Sequence, residues 1–213
     1  MVAGGTGTRF GGQKQFELLE GRPVLSWSIA AARTVSDGIV VVVPDGSAPP
    51  PAADDVEADH VVSGGPTRSH SVRAGLAAVP IEASVIIVHD AARPLASASL
   101  FASVVAALAE DGVHGAIPVL PVTDTLKRTT GGEVAATVDR EGMVSVQTPQ
   151  AFVAATLRAA HAEGGEATDD AGLLEALGAT VRTVPGEPSN VKLTHPEDMA
   201  IAQGLVRRDR DSR

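Results

Sequence analysis

From Gly38 to Pro44 the chain reads Gly-Ile-Val-Val-Val-Val-Pro, an unbroken β-branched run fenced by a glycine and a proline. A strand with one face in water alternates apolar and polar residues. A run with no polar member is buried on both faces, as in a parallel sheet covered by helices. Ser84-Val-Ile-Ile-Val-His-Asp90 repeats the pattern, and His60 to Ser63 and Gly115 to Leu120 read as further strands. Helical stretches separate them: Val24 to Arg33 behind Pro23, which suits a helix's first turn; Gly64-Gly65 onward to about Val79; and Ser99 to Asp111. Strands alternating with helices at this spacing predict right-handed βαβ units, hence an α/β fold, Rossmann-like and three-layered, with a mostly parallel twisted sheet.

The second half predicts a helix over Ala151 to Glu163, a helix capped within Ala167-Thr-Asp-Asp170, last strands at Thr180 to Val184 and Asn190 to Thr194, and a closing helix from Pro196 to Val206. Val122 to Asp139 departs from the alternation. Two polar strands flank Thr130-Gly-Gly132, which is a β-hairpin signal. An isolated hairpin is marginal in water, so this one is expected to pack on something, with a second copy of the chain favoured over the chain's own body. The expectation is one domain over residues 1–213, with 122–140 as a dimerisation arm.

The 213 residues are 44% hydrophobic, enough to bury a core, yet only 2% aromatic, so that core is built of Val, Ile, Leu and Ala. Without cysteine, disulfides and thiolate metal sites are excluded. No apolar run approaches the ~20 residues that span a bilayer and no signal peptide is visible, so a cytoplasmic chain without membrane contact is expected. A net charge of −9 argues against a broad basic face for nucleic acid.

The chemistry-bearing stretch is Val2-Ala-Gly-Gly-Thr-Gly-Thr-Arg-Phe-Gly-Gly-Gln-Lys-Gln-Phe16. Turned backbone N–H groups in such a loop make an anion-binding concavity, and Arg9 and Lys14 add positive charge at its rim. The dinucleotide fingerprint fails because Arg9 and Phe10 stand where a third glycine belongs; the P-loop pattern fails because neither Gly11 nor Gly12 is followed by Lys-Ser or Lys-Thr. Ala-Gly-Gly-x-Gly-x-Arg with Lys-Gln-Phe close behind resembles the signature of nucleotidyltransferases. A strand ordinarily precedes such a loop, so the first strand is expected to be incomplete in this chain. Ligands of open α/β sheets collect at the carboxyl ends of the strands, where both glycine turns and His89-Asp90 fall.

Further segments follow in order: Gly64-Gly65…Arg68…Ser71, His89-Asp-Ala-Ala-Arg-Pro94, Asp124-Thr125, Val138-Asp-Arg140, Gln147-Thr-Pro-Gln150, Thr168-Asp169 and Asn190-x-Lys-x-Thr194. Together they resemble the 2-C-methyl-D-erythritol 4-phosphate cytidylyltransferases over nearly the whole chain. The resemblance implies a nucleotidyltransferase fold and a reaction in which the acceptor's phosphate attacks the α-phosphorus of CTP and pyrophosphate leaves. It implies that Arg9, Lys14 and Lys192 hold the triphosphate and stabilise charge at that phosphorus. Ala3, Gly4 and Gly5, with Gly64, Gly65 and Ser71, would hold cytosine and ribose. Asp90, Arg93, Thr125, Arg140 and Thr168 would bind the acceptor, Arg140 reaching in from a partner subunit. Mg²⁺ would ride mainly on the phosphates, and the histidines show no metal spacing. His89 reads as packed rather than catalytic.

Two departures stand out: Pro66 where the family often carries an acidic residue, and a short Arg9-to-Lys14 interval. Two alternatives stay open. One is a CDP-ribitol pyrophosphorylase, against which the hairpin residues Asp124-Thr-Leu-Lys127 and Val138-Asp-Arg140 count. The other is a nucleotide-binding protein without turnover, against which the three retained cations count.

Overall fold

The computed structural model describes residues 1–5, 7, 10–47 and 57–211. Its elements run β1 (Leu18–Leu19), β2 (Arg22–Pro23), α1 (Val24–Arg33), β3 (Val40–Val43), β4 (His60–Ser63), α2 (Arg68–Ala78), β5 (Val85–Val88), α3 (Ala98–Ala107), β6 (Gly115–Pro121), β7 (Leu126–Thr130), β8 (Glu133–Val138), β9 (Val144–Val146), β10 (Gln150–Val153), α4 (Ala154–Ala162), α5 (Asp170–Ala176), β11 (Val181–Pro185) and α6 (Glu197–Asp211).

Across the central sheet the order is β4, β3, β5, β10, β6, β11. The chain at Val2 makes the join between β3 and β5, bridging in parallel to Val42 on one side and Asp90 on the other. β3 pairs β4 in parallel, and β11 pairs β6 in parallel. In this order β10 runs against its neighbours β5 and β6, while β9 extends the far end of β6 as an antiparallel ribbon. The sheet is mostly parallel, as the apolar runs predict.

Alternate residues of each strand point to opposite helical layers, which is why Val40–Val43 carries no polar residue. Val41 and Val43 pack with Leu25 and Ile29 of α1 and Leu100 and Phe101 of α3. On the opposite face Ile86, Val88, Ile117 and Phe152 meet α2, α4 and α5 through Val72, Leu76, Leu157 and Leu174. A smaller cluster of Leu19, Val24, Leu193, Ala202 and Val206 seats α6 against β1, the start of α1 and the segment carrying Leu193.

Two expectations need correction. The helix predicted over Ala151 to Glu163 begins only at Ala154, and the residues before it form β10. Ala151-Phe152-Val153 is too short for periodicity to arbitrate between helix and strand; the open lane between β5 and β6 decides, with Ala151 facing both Ile87 and Ala116. Asn190 to Thr194 is not a strand. Its polar groups are met elsewhere: Asn190 Nδ2 donates to the Thr148 carbonyl at 2.9 Å, and Leu193 N to the Ala92 carbonyl at 2.8 Å.

The predicted hairpin forms as β7–β8, its strands pairing only with each other among the described residues, with a bulge between Arg128 and Thr129. Nearly all of it is exposed, including Val134 at 64%. No helix among the described residues is long and apolar enough to cross a membrane.

His89, just after β5, is packed against Phe101 with ring centroids 5.0 Å apart. Its hydrogen bonds define one tautomer. Nε2–H donates to the Arg93 carbonyl at 3.1 Å, and Nδ1 accepts from the Thr148 hydroxyl at 3.1 Å, which itself accepts Asp90 N at 3.0 Å. Burial pushes the imidazole down to about 3 from an ordinary 6.5. The unfolded histidine takes up a proton that the folded one refuses, so stability falls as pH drops from 6.5 toward 3. We predict that His89→Gln flattens the pH dependence of urea unfolding between about pH 6.5 and about pH 5.5, above most of the range where carboxylates titrate. An unchanged slope in the variant would show that His89 is not its source.

Candidate active site

The carboxyl ends of the parallel strands deliver three turns to one edge of the sheet. Ala3 is anchored there by its N–H on the Val42 carbonyl at 2.8 Å, and Gly64 by its N–H on the Val43 carbonyl at 2.7 Å. Asp90 lies two residues beyond β5. Between these turns lies a cleft of about 770 Å³.

The first turn is folded by its glycines and by a buried glutamine. The Gly7 carbonyl accepts the N–H groups of Phe10, Gly11 and Gly12 at 2.9, 2.9 and 3.3 Å. Gly7 has φ +66°, and a Cβ there would lie 1.7 Å from the Gly12 oxygen, so only glycine fits. Gln15 then donates from Nε2 to the carbonyls of Ala3 at 2.8 Å and Gly5 at 3.3 Å. This bond draws the short 3₁₀ turn Lys14–Phe16 against the loop and puts Lys14 in the cleft wall. In the second turn the Ser71 hydroxyl accepts Gly65 N at 3.2 Å. A Cβ on Gly65 would meet His70 Cβ at 2.4 Å, so here glycine permits close approach to α2, whose N-cap is Thr67.

The third element is a cluster of charge. Lys192 Nζ lies 2.6 Å from Asp90 Oδ2, and Arg68 Nε lies 3.4 Å from Oδ1. Burial alone would raise the Asp90 carboxyl; the Lys192 ammonium and the Arg68 guanidinium outweigh it and hold the group well below the usual carboxylate range. The segment carrying Lys192 is fixed by the fully buried Leu193 and by Asp198, whose Oδ2 accepts the N–H groups of His195 at 2.7 Å and Thr194 at 2.6 Å. Those two bonds, with a smaller contribution from the charge of Lys14, keep Asp198 below its ordinary range.

Of the sequence-predicted residues, Ala3, Gly4, Gly5, Lys14, Gly64, Gly65, Ser71, Asp90 and Lys192 line this one cleft. Arg9 lies outside the described residues. The residues expected to bind the acceptor divide: Asp90 is in the cleft, while Arg93, Thr125, Arg140 and Thr168 do not line it. Arg93 turns to the Asn190 carbonyl at 2.8 Å, behind the Lys192 segment. Thr168 is exposed, and it is Asp169, not Thr168, that caps α5, accepting Gly172 N at 3.1 Å. Thr125 and Arg140 are exposed on the arm, and Arg140 lines a separate hollow of about 590 Å³ at its base with Asp139, Glu141 and Met143.

Sequence reasoning gave no role to Arg68, Gln15 or Thr194, all of which line the cleft. The signal for Arg68 was its place three residues before Ser71, on the same face of α2. Pro66 lines the cleft as well and brings no acid to it. Among the described residues no group of three His, Asp or Glu side chains is arranged to hold a metal. Among the described residues the acids in the lining are Asp45 and Asp90, the second already taken by two cations.

The model of the family described as IspD, 2-C-methyl-D-erythritol 4-phosphate cytidylyltransferase, matches residues 1–208. A protein of that name from Thermus thermophilus is 42% identical over 210 residues, covering 96% of this chain and 94% of the relative. The crystal structure of the T. thermophilus enzyme superposes with a TM-score of 0.81 at 41% identity, covering 91% of this chain and 94% of that one. The bifunctional enzyme IspD/IspF of Nitratidesulfovibrio vulgaris (strain DP4) is 46% identical over 224 residues, covering 94% of this chain and 56% of the relative. The chain therefore spans about half the length of such bifunctional relatives. Fold, motif order and a match running from the first residue to Arg208 agree: this chain belongs to the IspD family of 2-C-methyl-D-erythritol 4-phosphate cytidylyltransferases.

Proposed function

We propose that this chain transfers CMP from CTP to 2-C-methyl-D-erythritol 4-phosphate, giving 4-diphosphocytidyl-2-C-methyl-D-erythritol and pyrophosphate, in the cytoplasm. The observation that carries the reading is one cleft holding both glycine turns, Lys14 and the Lys192–Asp90 pair. The attacking phosphate is already an anion, so no activated hydroxyl or general base is needed. The work left to the protein is alignment and positive charge around a crowded anionic transition state. The glycine turns and Ser71 would seat the nucleoside, Arg9, Lys14 and Lys192 the phosphates, and Asp90 the acceptor's hydroxyls. Mg²⁺ held on the triphosphate would add charge neutralisation at the phosphoryl oxygens.

The test is an acceptor screen: purified protein, Mg²⁺ and CTP with methylerythritol phosphate or ribitol 5-phosphate, reading pyrophosphate. Turnover is expected with the first and little with the second. The reverse preference sinks the assignment, and silence with both favours a binding protein.

The two lysines carry a second expectation. Lys14→Ala and Lys192→Ala should each lower kcat far more than they weaken CTP binding, because their charge matters most where negative charge builds. Loss of one such contact typically costs ~3 kcal/mol, or about a hundredfold in rate. A variant with near-normal kcat removes that lysine from the mechanism.

We further propose that residues 122–140 of a single domain form a dimerisation arm presenting Arg140, with Thr125, to the partner's cleft. The support is an exposed hairpin that is marginal alone, with exposed Val134 on it and Met143, Val144 and Val146 beside its base. An arginine suits the place because its planar fork binds phosphate bidentately. Lys14→Ala and Arg140→Ala proteins, each nearly inactive, should regain part of their activity when dissociated, mixed and reassociated. A mixture that stays inactive despite demonstrated subunit exchange excludes the shared site.

A further inference from the structure

α5 opens on Asp170, whose side chain is 1% exposed. Its carboxylate has two partners from two other helices: His161 Nε2 of α4 at 2.9 Å, and a terminal guanidinium nitrogen of Arg68, the first residue of α2, at 2.8 Å. The same guanidinium reaches Asp90 through Nε at 3.4 Å, and the other oxygen of Asp90 takes Lys192 at 2.6 Å. A continuous chain of polar contacts thus runs His161–Asp170–Arg68–Asp90–Lys192, from α4 to the wall of the cleft.

Stability does not account for it. Buried ion pairs contribute little net stability, since desolvating each charge offsets most of the attraction. Arg68 is also imperfectly satisfied: its second terminal nitrogen is buried with no hydrogen-bond partner among the described residues, and its contact with Asp170 Oδ2 is an ion pair without hydrogen-bond geometry. What the arrangement does supply is orientation. Asp90 has each of its oxygens committed to a different cation, so its carboxylate plane cannot swing. A rigid fork can span two carboxylates at a fixed angle, which a lysine ammonium on a flexible stem cannot. At the far end the chain fixes the first residue of α5, two positions after Thr168. Asp169 between them caps the helix and also accepts Gln150 Nε2 at 3.0 Å. Arg68 therefore ties together two of the residues through which the acceptor is expected to bind.

We infer that Arg68 is a positioning residue for the acceptor half of the site, setting the angle of Asp90 and the seat of Thr168 through its bridge between Asp90 and Asp170. The inference rests on the cytidylyltransferase reading and names which of the two substrates depends on this chain of contacts. The residues proposed to seat the nucleotide, on the two glycine turns and at Ser71, are held by Gln15 and by the Gly65–Ser71 hydrogen bond, neither of which passes through Asp170.

The test is steady-state kinetics with Mg²⁺, varying CTP and methylerythritol phosphate separately, on wild type, Arg68→Lys and Asp170→Asn. Arg68→Lys keeps the cleft's charge and loses the span; Asp170→Asn keeps the shape and loses the charge. Each should raise the KM for the acceptor at least about tenfold, the scale of one lost hydrogen bond to a charged group, while the KM for CTP stays within about twofold. General loosening of the fold would move both. If Arg68→Lys fails to fold, Asp170→Asn and His161→Gln carry the measurement, with a smaller effect in the same direction expected for His161→Gln. Acceptor KM values unchanged, or CTP and acceptor KM values rising together, overturn the inference while leaving the activity standing. A wild type that turns over CTP without accepting methylerythritol phosphate overturns the functional reading itself, and this inference with it.

Discussion

The ion pair of Lys192 with Asp90 is where the parts of this molecule meet. Asp90 is placed by β5, the strand whose Val85–Val88 run is paired along its length by β10. Lys192 arrives from more than a hundred residues later on an extended segment, and Arg68 comes from a helix on one face of the sheet. A buried carboxylate flanked by two cations makes each of the three intolerant of losing the others. Removing one partner leaves a charge that has left water without compensation. The cluster also sets the cleft's electrostatics before any ligand is present. An anion entering it competes with Asp90 for Lys192, so the cation is already aimed but not permanently occupied.

Beneath this pair lies a polar floor that the hydrophobic clusters do not explain. His89, Thr148, Gln147, Gln150 and Asn190 are all buried. Gln147 Nε2 donates to the Glu187 carbonyl at 2.9 Å and its Oε1 accepts Glu187 N at 3.0 Å, while Asn190 reaches the Thr148 carbonyl. Side-chain amides here do what a neighbouring strand does elsewhere, meeting backbone groups that burial would otherwise leave unpaired. That is how the Lys192 segment can be held firmly while lying outside the sheet, and why its fixed position depends on residues far away in sequence.

These two features also explain what could be read from the sequence and what could not. β-Branched runs at Val40–Val43 and Val85–Val88 announce their strands because burial on both faces leaves no room for polar residues. The helix Val24–Arg33 and the strand His60–Ser63 fall where local pattern puts them. β10 is invisible locally: Gln150–Val153 is short, and only the gap between β5 and β6 makes it a strand. Asn190 to Thr194 misleads for the opposite reason, having the composition of a strand and no strand beside it. In the site, the glycine turns and Lys14 were legible because anion binding restricts the residue types that serve it, whereas Asp90 and Lys192 were named only through the family resemblance. Arg68 was not legible, since its significance lies in reaching Asp90 and Asp170 together, and Asp170 looks in sequence like an ordinary helix start.

The division of the residues expected to bind the acceptor has a physical logic of its own. A cleft at the edge of a parallel sheet is walled by the turns that follow the strands, and those turns would be consumed here in seating a nucleotide and its phosphates. Little of this wall would remain to meet a second anionic substrate, and the residues proposed for it, Thr125 and Arg140, lie exposed at the base of the hairpin and outside the cleft. A hairpin of this kind has unsupported edges and exposed apolar side chains, liabilities unless something covers them. Two-fold pairing of arms would cover both and carry an arginine toward a cleft that has only Lys14, Arg68 and Lys192 as described cations in its wall. The same contact that makes the arm stable would complete the site, so that assembly and acceptor binding would draw on one interface.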